Sequence, residues 1–408
     1  MLDVDKFWAQ VAEDSENYEV PVHYPDYFNQ PFCSEGEVRE LLQNWGNCDL
    51  ETAKGTMRVF VNRGMSYAHA NLMHDNPIKD GERLRAYHNR LFGKEKIGFF
   101  LNQAERFHDG LTRRAVNFTR PLAEAMGVPN FRCSLALLMG DYEETAFGVH
   151  YDNPGGAGRA VHFMLEGEKN MKCWSREEVN KLTNRKDRNY YWGFKNRLMK
   201  SGQGHFVGPD DFYLLPIQSY HIGVSQGFTV DFCIVIMNMS SGTIVQESIH
   251  RHSKILTGKL KRVSSKHRFG STSDDSESEI NELLDGGETD ISLRNLLRDN
   301  ILRQRSNAGV KHPPLVKKAV KLYGKNMEIV SPFQIICEIN EGDMNVYVRG
   351  RVIRLFQDDA LVELVEELNA GKQLSYKSCE ERLSSTIDRD ECHELFNMLY
   401  VYSGIALS

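Results

Sequence analysis

No CxxC pair occurs in this chain, although eight cysteines are scattered along it, at positions 33, 48, 133, 173, 233, 337, 379 and 392. Thiols without that spacing argue against a zinc ribbon or a thioredoxin-like motif. They fit reduced, mostly core-filling cysteines of a cytosolic protein. No stretch is apolar for long enough to suggest a membrane-spanning helix. The start, "MLDVDKFWAQ", is acidic and amphipathic and lacks the apolar centre of a signal peptide. A cationic excess is missing too: the net charge of -6 sets up no general field for nucleic acid or an anionic membrane. No internal repeat is visible. These absences make the cytoplasm the expected compartment.

What is present is an ordinary soluble composition, 41% hydrophobic and 26% charged, over 408 residues. That length exceeds one core and predicts two or three domains. In the first part, "SEGEVRELLQNW" reads as a helix that Ser34 caps with Glu37 as its capping-box partner. "GTMRVFVNRG" (55 to 64) reads as a short strand. Two further helices are expected near 98–107 and 110–126, the second ended by Gly127 and Pro129. From 130 the texture changes. "FRCSLALLMG", "AVHFMLEG", "DFYLLPI" and "FTVDFCIVIMN" are short apolar, β-prone runs punctuated by Gly, Pro and Asp, a density that suggests a sandwich or barrel. A polar stretch from 175 to 205 interrupts them as a loop or lid. The segment 250–268 carries seven Lys or Arg and no acid, and "STSDDSESE" swings the charge back, the pattern of a solvated linker. "ISLRNLLRDNILRQR" is helical. The last residues, 331–408, look like a separate unit: a hairpin, "MNVYVRGRVIRLF", then three amphipathic helices.

Within the β-rich part, "GVHYDN" sets His150 and Asp152 two positions apart, on one face if the segment is a strand. In "VGPDDFYLLPIQSYHIGVS", Asp210 and Asp211 make a turn, a buried strand ends at Pro216, and His221 follows. Together His150, Asp152 and His221 would form a two-histidine, one-carboxylate face that leaves other positions of a metal open, a set suited to ferrous iron. Zinc is the rival, but the ligands lack the HExxH helix. Between them, Lys169 follows a Gly167 turn at the end of an apolar strand. A buried lysine needs an anionic partner, and the far carboxylate of a dicarboxylate chelating the iron would serve. His162 faces the same pocket if the strand runs unbroken.

These pieces, "FGVHYDN", "VHFMLEGEKNMKCW" and "VGPDDFYLLPIQSYH", resemble the jumonji-C oxygenases of the cupin superfamily. The match falls on His150, Asp152, Gly167, Lys169, Asp210, Pro216 and His221. The resemblance implies a mainly β core, a double-stranded β-helix with flanking helices, holding Fe(II) on His150, Asp152 and His221. It also implies 2-oxoglutarate as cosubstrate, its 5-carboxylate on Lys169 with Thr145 beside it, and O2 as oxidant. One departure is the inserted "NPGGAG" after Asp152, which lengthens the loop beside the metal. The layout is similar to that of the ribosomal oxygenases. It implies N-terminal helices and flanking strands at 1–129, the jumonji-C core at 130–245, a charged linker at 246–288, a helical segment at 289–330 and a winged-helix-like unit at 331–408.

In that family the helical segment is a dimer interface, so a homodimer is expected, and the last unit is a structural or protein-contact module. The expected activity is hydroxylation of an amino-acid side chain in a protein, peptide or carrier-bound substrate, with release of succinate and CO2. Three alternatives stay open: N-demethylation by the same chemistry, a non-catalytic metal-binding cupin module, and a nucleic-acid regulator with a sensing barrel. The acids of 331–408, such as "DDALVELVEEL", weigh against phosphate tracking. Should Lys169 prove not to hold the carboxylate, Arg188 is the next basic candidate.

Overall fold

The computed structural model describes residues 2–152, 157–184, 190–191, 195–259, 293–340 and 342–408. Strands β1 (Val22–Tyr24), β2 (Met57–Val61), β3 (Gly64–Met65), β4 (Ile97–Asn102), β5 (Phe131–Asp141), β6 (Val149–His150), β7 (Ala157–Glu166), β8 (Lys169–Trp174), β9 (Tyr190–Tyr191), β10 (Gln203–Val207), β11 (Phe212–Pro216), β12 (Tyr220–Ser225) and β13 (Phe228–Asn238) form two antiparallel sheets. The larger runs β1-β11-β7-β13-β5-β4-β2-β3, and the smaller runs β10-β8-β12-β6-β9.

Side-chain alternation builds the layers. On β7, Val161 and Phe163 join the main core, while Ala160 and Met164 point the other way. On β11, Phe212 and Leu214 likewise enter the main core, and Tyr213 and Leu215 turn from it. The main core lies between the larger sheet and the helices Val4–Asp14, Glu35–Gly46 and Asp109–Met126, whose Trp8, Leu41 and Leu111 are buried in it. Against the opposite face, Ala160, Met164, Tyr213 and Cys233 meet Met171, Cys173 and Val207 of the smaller sheet. The smaller sheet's outer face packs Val149, Trp174, Tyr220 and Ile222 on Val179 and Leu198 of the 175–205 stretch. A space between two sheets, walled by apolar side chains, is the result.

Ser34 caps the helix Glu35–Gly46 with the capping box that Glu37 completes, and Gly127 ends the helix Asp109–Met126, both as the sequence predicts. The helix expected near 98–107 is instead strand β4. Ile97, Phe99 and Leu101 are fully buried at period two and pair with β5 and β2, so sheet pairing decides an apolar run too short to declare its own periodicity. The stretch from 175 to 205, expected as a loop or lid, holds regular elements among its described residues. Ser175 caps the helix Arg176–Thr183, and β9 adds to the edge of β6.

The boundary expected at 245/246 falls inside the helix Ser241–Lys259, so the charged stretch begins as helix; 260–292 lie outside the described residues. That helix packs on Leu293–Ser306, where Asn300 Nδ2 donates to Ser248 Oγ at 3.0 Å.

The end of the chain has its own core. Strands β14 (Asn326–Ile329), β15 (Ile336–Asn340), β16 (Asp343–Val348), β17 (Arg351–Phe356), β18 (Leu374–Ser375) and β19 (Ile405–Leu407) form two three-stranded sheets. The β16–β17 hairpin turns on Arg349 and Gly350, both at positive φ, the two-residue turn that matches strand twist. Leu361, Leu364, Val365 and Leu368 of the helix Asp359–Asn369, with Leu395, Phe396 and Leu399 of Arg389–Val401, bury the apolar stripes against Met344, Val346 and Ile353. All eight cysteines are free, and six are buried. No helix of the described residues is long and apolar enough to cross a membrane.

Candidate metal centre

Alternation on the smaller sheet sends Val149, Tyr220 and Ile222 outward and therefore His150 and His221 into the space between the sheets. The β6–β12 ladder makes the two histidines direct register partners, with ring centroids 4.4 Å apart. Asp152 is not on the strand, which ends at His150. The chain bends, and the Asp152 amide donates to the Ile217 carbonyl at 3.0 Å. That bond holds the carboxylate where its oxygens lie 3.8 Å from His150 Nε2 and 3.7 Å from His221 Nε2. One ligand atom from each residue falls within 4.8 Å of the others. Both histidines are buried while the Asp152 side chain is 55% exposed, so the triad has a closed floor and an open side.

The ring tautomers follow from the backbone. Nδ1 of His150 donates to the Gly148 carbonyl at 2.8 Å, and Nδ1 of His221 to that of Ser219 at 3.0 Å. With the proton on Nδ1, each Nε2 presents its lone pair toward Asp152, the state a metal needs. Burial first, and then the neighbouring His150, hold the His221 pKa down to about 4, so it is neutral at physiological pH. Two imidazoles and a carboxyl group are a donor set that fits a divalent ion of the first transition row. Phe147 sits against this floor, its ring 5.3 Å from that of His150 and 5.1 and 5.5 Å from Phe60 and Phe100.

Lys169 starts β8 after the Gly167 turn, where φ is +77° and a Cβ would meet the Phe228 carbonyl at 2.5 Å, so only glycine fits. Its side chain is buried, and Nζ donates to Asp231 Oδ2 at 2.8 Å. His162 Nδ1 reaches the same oxygen at 3.0 Å. Tyr142 flanks the ammonium, its ring centroid 5.4 Å from Nζ. Burial opposes the charge on Lys169, but Asp231 and Tyr142 outweigh it and raise its pKa. Burial likewise works against the Asp231 carboxylate, yet Lys169 and His162 bring it down to about 2. Thr145 lies next to the Lys169 stem across Gly223. Its hydroxyl both donates to the Gly223 carbonyl and accepts from the Gly223 amide, at 3.1 Å each. Asp210 sits in the turn before β11 at positive φ, and its neighbour Asp211 accepts from Gly208 and Asp26 amides.

The sequence reading missed Asp231 and Tyr142. The available signal for Asp231 was an acid between Val230 and Phe232 in a strand apolar on both faces. Arg188 and positions 153–156 of the inserted loop lie outside the described residues.

Among solved structures, E. coli YcfD aligns with 98% of this chain and 98% of its own, at 10% identity and a TM-score of 0.50. The two chains share a fold. A structure of YcfD, described as a ribosomal oxygenase from Escherichia coli, in complex with cobalt and 2-oxoglutarate, covers 95% and 94% at 10% identity and a TM-score of 0.47. SnoN, the non-heme alpha-ketoglutarate-dependent epimerase from nogalamycin biosynthesis, covers 56% and 84% at 12% identity and 0.34. No family model and no curated protein matches the chain.

Proposed function

We propose that this chain is an Fe(II)- and 2-oxoglutarate-dependent oxygenase of the jumonji-C type that hydroxylates an amino-acid side chain of a protein or peptide. The observation that carries the reading is the convergence of His150, Asp152 and His221 in the same inter-sheet space that holds buried Lys169. On this reading the two sheets are a double-stranded β-helix. The chain divides into 1–129, a core at 130–245, a charged segment at 246–288, a helical segment at 289–330 and a winged-helix-like unit at 331–408. YcfD, which shares the fold, is described as a ribosomal oxygenase, and this favours a protein substrate over a free small molecule.

His150, Asp152 and His221 would hold the iron, and Lys169 the far carboxylate of 2-oxoglutarate, with His162 and Thr145 beside it. Iron, 2-oxoglutarate and O2 together supply the oxidising power for C–H hydroxylation, with succinate and CO2 as the other products. The chain's own part is positional. The carbonyls of Gly148 and Ser219 fix both imidazole planes. The apolar lining keeps bulk water from the cosubstrate end, and the exposed side of Asp152 leaves room for a target side chain to approach.

The test is incubation of the purified chain with Fe(II), ascorbate and 2-oxoglutarate. Succinate formation that depends on all three, and a +16 mass shift in proteins of a host lysate, are the expected results. Absence of both with the metal bound would sink the reading.

A further inference from the structure

Lys169 already has a carboxylate. Asp231, 1% exposed, stands on the inner face of β13 and presents one oxygen, Oδ2, to both Lys169 Nζ and His162 Nδ1. Its other oxygen, Oδ1, and the far ring nitrogen of His162, Nε2, are buried and have no hydrogen-bond partner among the described residues. The cluster is therefore charge-balanced while two polar atoms remain unsatisfied, which is costly unless something else meets them. A second carboxylate brought to Lys169 would place two anions on one cation among buried side chains. Two carboxylates crowded together drive protonation nearby.

We propose that the cosubstrate pocket admits a carboxylate together with one proton, which His162 takes up at Nε2. This rests on the oxygenase reading and adds Asp231 and His162 to it as positioning residues. The proton comes from solvent, and no other bond is made or broken. The imidazolium then becomes the ion-pair partner of Asp231 through Nδ1. Lys169 is released to the incoming carboxylate, and the newly protonated Nε2 becomes a donor in the pocket.

The ionisable groups around His162 leave it as the acceptor. From β13 come Asp231 and Cys233, from β11 Tyr213, from β8 Lys169 and Cys173, from β10 His205 and from β12 His221, whose pKa burial, His150 and His162 all hold down; Tyr142 lies beyond Lys169. Burial raises the Cys173, Cys233 and Tyr213 pKa values, so all three stay neutral. Burial, and then His23, lower that of His205.

Calorimetric titration of 2-oxoglutarate into the full chain loaded with Co(II), without oxygen, tests this. Running it in phosphate and in Tris at pH 8 yields the number of protons taken up. The wild type should take up about one proton per 2-oxoglutarate at pH 8, and over the pH range where that uptake is complete its affinity should fall about tenfold per pH unit. Asp231→Asn should take up close to none and bind with a flat pH profile, because the ligand then simply neutralises Lys169. His162→Gln, which keeps the Lys169–Asp231 pair, should lose the uptake and bind more weakly. Equal proton counts in the wild type and either variant would overturn the proposal. A chain that holds Co(II) but binds no 2-oxoglutarate would instead remove the oxygenase reading beneath it.

Discussion

His150 and His221 face each other as register partners on β6 and β12, each with Nδ1 tied to a carbonyl two residues before it in the chain. The pair is thus oriented by backbone alone, and Asp152 supplies the only charge. Asp152→Ala should leave both rings in place and remove the anionic ligand. Fe(II) or Co(II) affinity should fall by more than the roughly 10- to 100-fold that loss of a supporting hydrogen bond costs a metal site. Equilibrium dialysis would measure it, with an unchanged unfolding midpoint of the metal-free chain as control. Wild-type 2-oxoglutarate turnover in this variant would contradict the assignment.

Lys169 pairs with Asp231, the proposed function gives its ammonium a second job, and the two separate by mutation. Lys169→Met should weaken 2-oxoglutarate binding by roughly 1.5–3 kcal/mol, the worth of a charge-assisted bond. It should also destabilise the fold by roughly 3–5 kcal/mol, because Asp231 would be left buried beside His162 alone. Lys169→Met combined with Asp231→Asn should regain most of the stability and none of the affinity. Urea unfolding and ligand titration on the three variants distinguish the two effects. A single variant as stable as wild type would show that Asp231 is not charged there.

Acid should act on the same pair. Asp231 is held at about 2 against an ordinary 3.8, so between those values the unfolded chain binds more protons than the folded one. Its stabilisation is complete above about pH 4 and is lost as pH falls toward 2. Lys169, whose pKa is raised, has the opposite sign: its contribution is whole below its ordinary 10.5 and is lost as pH climbs beyond its folded value. Unfolding free energies measured from pH 2 to pH 5 should therefore rise with pH, and more shallowly in Asp231→Asn. Equal slopes in the two proteins would remove Asp231 from the acid response.

The legible parts of this chain are those whose meaning is local. The HxD pair, the glycine-to-lysine turn and a histidine five residues past a strand-ending proline announce themselves by spacing, and the fold brings His150, Asp152, His221 and Lys169 around one space. Asp231 was hidden because its role depends on parity. Only after β13 pairs with β7 and β5 is its face known to be the inner one. Strand β4 was hidden for a similar reason: "IGFFLN" is six residues of apolar character, and the neighbours that make it a strand lie tens of residues away. The charge of the basic run after 250 predicts a linker, yet charge on a helix is solvated readily. Its first part is helix because Ile244 and Ser248 are buried on one side.

The last prediction concerns the terminal unit. Docking surface and structural cover were the two roles open to it, and one residue bears on the choice. Arg349, at the tip of the β16–β17 hairpin, is fully buried. It donates to Asp109 at 2.8 Å, to Asn307 at 3.1 Å and to the Ser403 carbonyl at 3.4 Å, and its guanidinium lies 3.4 Å over the Phe333 ring. Asp109 opens the helix Asp109–Met126, and Phe333 belongs to the main core, so the unit is keyed into the large domain. Removing 331–408 would expose that core and leave Asp109 without its partner. The truncated chain should therefore aggregate, or unfold well below the full chain's midpoint. Arg349→Leu in the full chain should cost about 3 kcal/mol, near the lower end for a broken buried pair because Asp109 is partly exposed. Its 2-oxoglutarate turnover at a temperature where it stays folded should be normal. A truncated chain that is soluble, equally stable and equally active on a peptide would show that the unit neither covers the core nor recruits substrate.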